Sequence, residues 1–583
     1  MSENNGKTFD VELLRRVIAY VRPYKKLFIG TSAVAILIAF LSPSRPILIQ
    51  YAFDNFILQA DEIKLFYITI ILIGVLILES ISQYFYTYWA NLLGQSVIKD
   101  IRLQTYKKII NFRQQFFDKN PIGSLVTRVV SDIETISEIF SQGLLVIIAD
   151  ILKLLIVVLV MFITDWRLTL FSLASIPILL VATYWFKRSI KKAFQEVRKQ
   201  VSALNTFIQE HIVGMSIVQL FNREDIELEK FKKINDLHKK AHIQSIWYYS
   251  IFFPIVELLS AISIGLLIWW GGIEAVTSDD VTLGELIAFI LYIHMLFRPI
   301  RQLADRFNVL QMGMVASERV FKILDTDEII ENKGVKQLQD CKGDIEFRNV
   351  WFAYNEDDWV LKGISFKLQS GDSLAIIGAT GSGKSTIINL LTRNYDINKG
   401  EILVDGINIV DYDLNSLRQT IAVVLQDVFL FSDTILNNIT LGRSISLEKV
   451  KAYANEIEIE EFIQSLPNGY DYNVRERGNM LSLGQRQLIS FLRAYSSLPK
   501  ILVLDEATSS IDSESESLIQ RSTEKLTRGR TSIIVAHRLS TIQNASMIML
   551  LDDGVIQEQG THQELLALNK KYKILHDLQF KGI

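Results

Sequence analysis

The sequence predicts two joined domains: an all-α transmembrane domain of six helices with long cytosolic helical extensions, and a following α/β domain. Long apolar runs occur only before about residue 300, and each is long enough to form a membrane helix. Long polar segments with a helical pattern separate some of these runs. From about Gly343 the chain changes to short β-rich runs divided by turns. We place the transmembrane domain at 1–325, a linker at 326–343 and the α/β domain at 344–583.

The composition agrees with a chain that is only partly embedded in a membrane. Of its 583 residues, 49% are hydrophobic and 21% are charged, which is too apolar for a soluble protein and too polar for one lying wholly in a bilayer. The net charge of −3 gives no support for a nucleic-acid partner. Cys341 is the only cysteine, which excludes an intramolecular disulfide. Residues 1–26 are polar and basic, and no small-residue cleavage site follows the first apolar run, which predicts a retained span.

Six apolar stretches are long enough to cross a hydrocarbon core, which needs about 20 helical residues. They lie near 27–52, 65–92, 141–163, 166–187, 246–271 and 282–299. Lys and Arg are concentrated before the first span, between the second and third, and between the fourth and fifth, whereas the loops after the first and fifth spans are mainly acidic. By the positive-inside rule, both termini, both long loops and the α/β domain are expected in the cytosol.

The two long cytosolic segments each have a helix-breaking sequence near the midpoint. Asn120-Pro121-Ile122-Gly123 interrupts the first, and Gly214 interrupts the second. Each segment is therefore expected to form two helices, one leading away from the membrane and one returning. They are either exposed helical hairpins or levers that contact another domain, and the α/β domain that follows favours the lever.

Charged residues within a membrane span are costly and are usually paired or functional. The predicted spans contain Arg45, Glu79, Asp150, Lys153 and Glu257. Asp150 and Lys153 are three residues apart on one helix, so we expect them to pair. Glu79 and Glu257 have no local partner, and they either face a water-accessible cavity or pair with Arg45.

Two aromatic clusters are candidates for the lining of such a cavity. Interfacial belts and ordinary helix packing explain them equally well. The clusters comprise Tyr84, Phe85, Tyr86, Tyr88 and Trp89, and Trp247, Tyr248, Tyr249, Phe252 and Phe253.

A glycine-rich loop follows the predicted strand at residues 374–377. The loop consists of Gly378, Ala379, Thr380, Gly381, Ser382, Gly383, Lys384, Ser385 and Thr386. A strand before it and an apolar helix after it are the context that the G-x-x-x-x-G-K-[ST] phosphate loop requires. Its glycines let backbone N–H groups approach phosphate oxygens at a helix N-terminus. We expect Lys384 to reach the β- and γ-phosphates of ATP and Ser385 to ligate Mg²⁺.

A second motif ends a later apolar strand at residues 501–504. Asp505 follows it, where a carboxylate is expected to hold Mg²⁺ through water. Glu506 is placed to orient or deprotonate the attacking water. A buried strand ending in a solvated acidic turn has the same pattern, but the upstream phosphate loop favours the nucleotide site.

Residues 481–487, Leu-Ser-Leu-Gly-Gln-Arg-Gln, resemble the signature motif of ABC ATPases. The remaining motifs match in order over nearly the whole chain, including Phe116-Phe117-Asp118 with Pro121 and Gly123, and 316–321 in the linker. The chain is therefore similar to half-transporters of the ABC exporter family, with the type IV architecture of multidrug exporters and the lipid A flippase. This resemblance implies that the second domain is an α/β P-loop ABC nucleotide-binding domain.

The resemblance also implies roles for residues that the motifs above leave out. Tyr354 resembles the aromatic residue that stacks on adenine, and Gln426 resembles the glutamine that senses Mg²⁺ and couples to the membrane domain. His537 resembles the histidine that contacts the γ-phosphate. Residues 509–512 resemble the dimer-contact loop, and 473–478 resemble a loop peculiar to exporters.

The signature retains Ser482, Gly484 and Gln485, and in the family its Ser and following Gly contact ATP held by the opposite subunit. Leu483 stands where the family usually has glycine, and Arg475 stands where glycine is common in the exporter loop. We expect Leu483 to adjust packing rather than to inactivate the site. Exporters that pair with a different half-transporter often vary in this motif, so a homodimer and a heterodimer both remain open.

The resemblance implies ATP-driven export or flipping of a hydrophobic or amphipathic substrate across the cell inner (plasma) membrane. Two ATP molecules with Mg²⁺ bind between two nucleotide-binding domains, and hydrolysis at Glu506 and His537 resets an alternating-access cycle. The implied partners are a second half-transporter, membrane lipid and the substrate, with no nucleic acid. Drug-like compounds, a lipid or lipopolysaccharide precursor and a peptide are the candidate substrates, in that order. A channel or regulator gated by ATP is a weaker alternative, because such relatives often lose the carboxylate that Glu506 supplies.

Overall fold

The computed structural model of the chain describes residues 11–277, 281–338, 340–355, 358–505, 513–535 and 542–580. The chain divides into two compact units. The first comprises Met1–Asn111 and Asn120–Asp327, and the second comprises Phe112–Lys119 and Glu328–Ile583. The segment Phe112–Lys119, from the first predicted cytosolic loop, therefore groups with the C-terminal unit.

The described chain up to residue 327 is helical. Its α-helices are α1 (Val11–Ala19), α2 (Lys25–Ala52), α3 (Glu62–Ile109), α4 (Gln114–Lys119), α5 (Ile122–Thr127), α6 (Ile133–Glu138), α7 (Leu144–Thr164), α8 (Trp166–Leu173), α9 (Ile176–Val213), α10 (Met215–Leu220), α11 (Glu224–Thr277) and α12 (Leu283–Asp325).

Five helical segments are long and apolar enough to cross a membrane, and they contain the first five predicted spans in order. They are Arg22–Ile57, Glu62–Ile109, Ile122–Thr164, Trp166–Val213 and Glu224–Thr277. The sixth predicted span, 282–299, lies almost wholly in α12, which is not among the five. The five segments refer to the described residues only, and the sixth span stays a prediction.

Both predicted helix breaks are confirmed. Asn120 and Pro121 separate α4 from α5, and Pro121 occupies the N-cap of α5, where its missing N–H group leaves no hydrogen bond unmade. Gly214 separates α9 from α10. Each long segment therefore contains helices that lead to and from a short helix near its midpoint.

Two ion pairs account for three of the charges predicted within the spans. The Nε atom of Arg45 lies 3.1 Å from Oε2 of Glu79, and Glu79 also lines a cavity of the helical unit, so both alternatives hold for Glu79. Asp150 pairs with Arg306 of α12, at 3.2 Å between Oδ2 and Nε. The expected pair of Asp150 with Lys153 is therefore wrong, because a long arginine from a facing helix reaches the short aspartate side chain.

Helix packing explains part of the aromatic clusters. Phe252 is buried and stacks on Phe186, with ring centroids 4.1 Å apart, which joins α11 to α9. Tyr86 is also buried, whereas Tyr84 and Tyr88 of the same cluster are exposed. The buried members therefore contribute to the core of the helical unit.

The described part of the second unit contains ten strands and nine further helices. The strands are β1 (Ile345–Ala353), β2 (Trp359–Leu368), β3 (Ser373–Ile377), β4 (Lys399–Val404), β5 (Ile407–Asn408), β6 (Ile421–Val424), β7 (Ile501–Asp505), β8 (Thr531–Val535), β9 (Met547–Asp552) and β10 (Val555–Gly560). The helices are α13 (Lys384–Leu391), α14 (Leu414–Thr420), α15 (Ile435–Thr440), α16 (Leu447–Glu456), α17 (Glu460–Ser465), α18 (Leu483–Tyr495), α19 (Ser513–Thr527), α20 (His562–Leu568) and α21 (Lys571–Phe580).

The strands form an antiparallel sheet in the order β2-β1-β4-β5 and a larger sheet in the order β10-β9-β3-β8-β7-β6. In the larger sheet β9, β3, β8, β7 and β6 are parallel, and only β10 is antiparallel. β8 is buried along its whole length, as expected for a strand covered on both faces. The predicted strands at 345–347, 374–377 and 501–504 are confirmed.

A carboxylate with three basic partners joins the end of α9 to the start of α11. Glu227 lies 2.9 Å from Nε2 of His211 and accepts hydrogen bonds from Arg223 and Lys230. Hydrogen bonds from Lys230 and then His211 lower the pKa of Glu227 to about 2. The Glu227 carboxylate, followed by the Phe207 carbonyl, raises the pKa of His211 above 6.5.

We predict that this contact weakens with rising pH. A histidine whose pKa is raised by folding stabilises the fold fully below its ordinary value of 6.5 and loses that contribution as pH rises through the folded value. Hydrogen exchange over residues 207–230, corrected for intrinsic rates, should be faster at pH 8.5 than at pH 6. His211→Gln should abolish this difference, because glutamine does not titrate. An unchanged pH response in that variant would contradict the assignment to His211.

Candidate nucleotide-binding site

Three of the predicted site features lie at one edge of the larger sheet. β3, β8, β7 and β6 are neighbours and parallel, so their carboxyl ends meet at the same edge. The phosphate loop follows β3, Asp505 ends β7, and Gln426 follows β6 as an exposed residue. The sheet order therefore brings together motifs that are more than a hundred residues apart in sequence.

Two glycines of the phosphate loop are sterically required. Gly378 has φ +156°, and a Cβ atom there would lie 2.1 Å from the carbonyl oxygen of Leu551. Gly383 has φ +105°, and its Cβ would lie 2.7 Å from Cδ2 of Leu361. These close approaches let the loop turn directly into α13, whose N-terminus then faces the loop.

The side chains of the loop divide into buried and exposed groups. Ser382, Lys384 and Thr386 are buried, whereas Ala379, Thr380, Gly381 and Ser385 are exposed. The Nζ atom of Lys384 donates hydrogen bonds of 2.9 Å to the carbonyl oxygens of Gly378 and Ala379. Burial lowers the pKa of Lys384, while the nearby Asp505 carboxylate opposes that shift. The lysine thus crosses its own loop, and a phosphate oxygen would offer it a stronger acceptor than a carbonyl.

Ser385 and Asp505 contact each other directly. The Ser385 hydroxyl donates a hydrogen bond of 3.2 Å to Oδ2 of Asp505. A hydroxyl and a carboxylate held together are oxygen ligands of the type that Mg²⁺ prefers. Within the described residues no group of three or more His, Cys, Asp or Glu is placed to hold a metal. A Mg²⁺ ion at this pair would therefore take further ligands from phosphate and water.

Tyr354 has partners that the sequence did not predict. Its hydroxyl lies 3.2 Å from Oγ1 of Thr386, the last residue of the phosphate loop. Its ring meets the Tyr395 ring edge-on at 5.1 Å, and the Tyr395 hydroxyl donates a hydrogen bond to Asp118 of α4. Asp118 was recognised only as part of a family motif, and no motif marked Tyr395. A chain of contacts thus leads from α4 to the phosphate loop within this unit.

Three predicted features lie outside the described residues. They are Glu506, His537 and the dimer-contact loop at 509–512. The strands before them are described, since β7 ends at Asp505 and β8 ends at Val535. Both strands belong to the parallel part of the larger sheet, and the roles of these residues stay predictions.

The signature residues form the start of α18. Ser482 is its N-cap, and its Oγ accepts a hydrogen bond from the Gln485 N–H, while Oε1 of Gln485 accepts one from the Ser482 N–H. This capping box fixes the first turn and leaves early N–H groups available. Leu483 is the half-buried first residue of the helix, where ordinary helical angles suit any L-residue. The backbone therefore has no need of glycine at position 483.

Position 475 differs, because its backbone does favour glycine. Arg475 has φ +59° and ψ −166°, a region that residues with a Cβ rarely adopt. Its N–H donates to Oδ1 of Asn473, and the neighbouring Val474 N–H donates to the Asp433 carbonyl. These bonds hold the loop in a conformation that costs about 1–3 kcal/mol for a non-glycine residue.

We predict that Arg475→Gly stabilises the chain by about 1 kcal/mol, since the released strain exceeds the entropy that glycine adds to the unfolded state. Scanning calorimetry of the full chain should show the transition of the nucleotide-binding unit rising by about 2–4 °C. Arg475→Ala removes the same side chain but keeps the Cβ atom, and it should show no such gain. Equal transitions for the two variants would mean that backbone strain at this position is negligible.

Comparison with known proteins agrees with this arrangement. Residues 28–300 match the family described as the ABC transporter transmembrane region, and residues 361–509 match the ABC transporter family. The second match spans the phosphate loop, the signature and Asp505.

Curated relatives match over almost their entire length. The chain is 36% identical to the uncharacterized ABC transporter ATP-binding protein YknV of Bacillus subtilis (strain 168), over 98% of this chain and 96% of the relative. It is 33% identical to an ATP-dependent lipid A-core flippase of Syntrophus aciditrophicus (strain SB), over 98% and 95%. It is also 33% identical to the putative multidrug export ATP-binding/permease protein YgaD of Bacillus subtilis (strain 168), over 97% and 99%. The chain therefore belongs to the ABC transporter family, as an exporter-type half-transporter in which one transmembrane domain precedes one ATP-hydrolysing domain.

Proposed function

We propose that this chain works in a dimer with a second half-transporter and couples ATP hydrolysis to export or flipping of a hydrophobic or amphipathic substrate. The direct contact of Ser385 with Asp505 carries the proposal, because it unites the two halves of a phosphate- and metal-binding site. Mg²⁺ bound there with ATP would neutralise charge on the phosphates. Lys384 would bind the β- and γ-phosphates, and Glu506 and His537 would act on the attacking water and the γ-phosphate.

The lack of hydrogen bonds between the phosphate loop and the signature, within the described residues, supports a dimer. In the described part of the chain, no hydrogen bond joins residues 378–386 to residues 482–485. Ser482 is exposed at the start of a 13-residue helix, as an N-terminus that receives a phosphate must be. We infer that each signature completes the ATP site of the partner chain, and that this partner is either a second copy or a different half-transporter.

The short helix α10 is a candidate contact with the partner's ATPase domain. It and the residues after it expose Ile217, Leu220 and Phe221, at 59%, 79% and 70% of their surfaces. Apolar side chains at the tip of a long helical hairpin favour the lever interpretation of this segment. The Lys- and Arg-rich composition of the two hairpins supports a cytosolic location for them and for both termini.

The names of the relatives bear on the substrate. The lipid A-core flippases and the putative multidrug export protein are named for amphipathic or drug-like cargo, and each aligns with nearly all of this chain. We therefore keep a lipid or drug-like compound ahead of a peptide. A channel or regulator without pumping remains the weaker alternative, because Glu506 is present.

ATPase activity of the chain purified alone in lipid tests the proposed function. Wild type should hydrolyse ATP, and Glu506→Gln should reduce the rate by about a hundredfold or more while still binding ATP, because it removes the general base. Candidate lipids and drugs are added one at a time, and compounds of only one chemical class should stimulate the ATPase activity of wild type. A folded, ATP-binding wild type without activity would contradict the homodimer and require a different partner chain.

Two complementary variants test whether the signature acts on the other chain. Lys384→Met disables the phosphate loop, and Ser482→Arg disables the signature, so each variant should be inactive alone. Mixed dimers contain one site with an intact loop and an intact signature, and random pairing should restore about a quarter of wild-type activity. The chain carrying both substitutions, mixed with either single variant, is the matched control and should restore none. Equal inactivity of the mixture and the control would show that the signature does not act across the dimer.

A further inference from the structure

A charged cavity lies in the helical unit, among the helices predicted to cross the membrane. Its volume is about 650 Å³, and α2, α3, α7 and α12 contribute its lining. Besides His294, the described lining contains four Lys or Arg side chains and two acidic side chains, an excess of two positive charges with the histidine neutral. These side chains are Arg45, Lys153, Arg298, Arg306, Glu79 and Asp150. None of the aromatic residues predicted as candidates for a cavity lining is among the residues that line it.

The two acidic groups are already committed to partners. Glu79 is paired with Arg45 and also accepts a hydrogen bond of 2.9 Å from the Ser42 hydroxyl. Asp150 is paired with Arg306. These pairs neutralise two of the four basic groups, and the excess charge therefore belongs to the other two.

Lys153 and Arg298 are those two remaining basic groups. Neither forms a hydrogen bond or an ion pair with any residue in the described part of the chain. The Glu79 and Asp150 carboxylates attract Lys153, whereas the Arg298 guanidinium repels it. Both carboxylates are already paired with an arginine, so they compensate only part of the positive charge of the cavity, and uncompensated charge is costly in a membrane-spanning unit. An anion between them would remove that repulsion and provide an acceptor for both.

Part of the remaining lining, on α2 and α12, is apolar, and it lies beside the polar residues Gln83, His294 and Gln302. Ile49, Leu291 and Met295 contribute to it beside the charged groups. The volume is in the range of sites for drug-sized ligands and much exceeds that of one small anion. The cavity thus combines a basic region with an apolar region, which matches a molecule with a charged head and a hydrocarbon tail.

We propose that this cavity binds the anionic headgroup of an amphipathic cargo, with Lys153 and Arg298 as its two cationic contacts and the apolar lining against the start of the tail. The inference rests on the proposed export function and narrows its substrate class. Drug-like compounds stood ahead of lipids among the candidate substrates. For cationic drugs this proposal reverses that order, because both carboxylates in the lining already have partners.

Headgroup selectivity tests the proposal directly. Dodecyl phosphate, dodecyltrimethylammonium and dodecyl maltoside share one tail, and their headgroups are anionic, cationic and uncharged. Each is titrated by calorimetry into the nucleotide-free full chain in phosphatidylcholine nanodiscs, and the signal from empty nanodiscs is subtracted. Dodecyl phosphate should bind at least about tenfold more tightly than the other two, as expected for charge-assisted hydrogen bonds. Inorganic phosphate, titrated alone, should bind far more weakly than dodecyl phosphate, because it cannot use the apolar lining.

Variants locate the site. Lys153→Met combined with Arg298→Gln should remove the preference for dodecyl phosphate, whereas Lys153→Arg, which keeps the charge, should retain it. Lys199→Met is the matched control, because Lys199 is exposed on α9 and outside the cavity, and it should bind dodecyl phosphate as wild type does.

Equal binding of the three amphiphiles, or an unchanged preference in the double variant, would overturn the proposal. If inorganic phosphate binds as tightly as dodecyl phosphate, the proposal that the cargo is an amphiphile is overturned, and only a site for small anions is left. Wild-type ATPase activity in the same nanodiscs separates the two hypotheses. ATPase activity without a headgroup preference rejects only the proposed headgroup site. Absence of ATPase activity rejects a transporter formed by this chain alone.

Discussion

The parallel alignment of β3, β8, β7 and β6 is the constraint on which the nucleotide-binding unit depends. Parallel neighbours place their carboxyl ends at one edge, and this alone brings Ser385 within 3.2 Å of Asp505 across 120 residues of sequence. Strands covered on both faces must be apolar, so they supply a rigid core but no chemistry. The chemistry is therefore confined to the turns that leave this edge.

Helix N-termini supply the second element of the site. The phosphate loop leads into α13 and the signature begins α18, so unpaired N–H groups are presented at both positions. The two departures from the family pattern differ in physical consequence. Leu483 occupies a helical position that tolerates any side chain, whereas Arg475 occupies a backbone conformation that favours glycine. A sequence comparison treats both as the same kind of change, and only the backbone angles separate them.

In the helical unit, the cost of charge in an apolar environment governs where charged residues lie. Arg45 with Glu79 and Arg306 with Asp150 form pairs that neutralise each other between helices. Lys153 and Arg298 remain beside these pairs in one cavity. The chain thus retains uncompensated positive charge where its proposed cargo would pass, and the two ion pairs help to position the helices that enclose it.

The sequence by itself determined the order of the domains, five of the membrane helices, both helix breaks, the predicted core strands and the phosphate-loop motif. These features are local, because hydropathy runs, glycine spacing and helix breakers act over a few neighbouring residues. Only the tertiary structure decided the partner of Asp150, the contact of Tyr354 with Tyr395 and the grouping of Asp118 with the second unit. Sequence spacing favoured Lys153 for Asp150, but partners on facing helices depend on packing between segments distant in the chain, which no local pattern encodes.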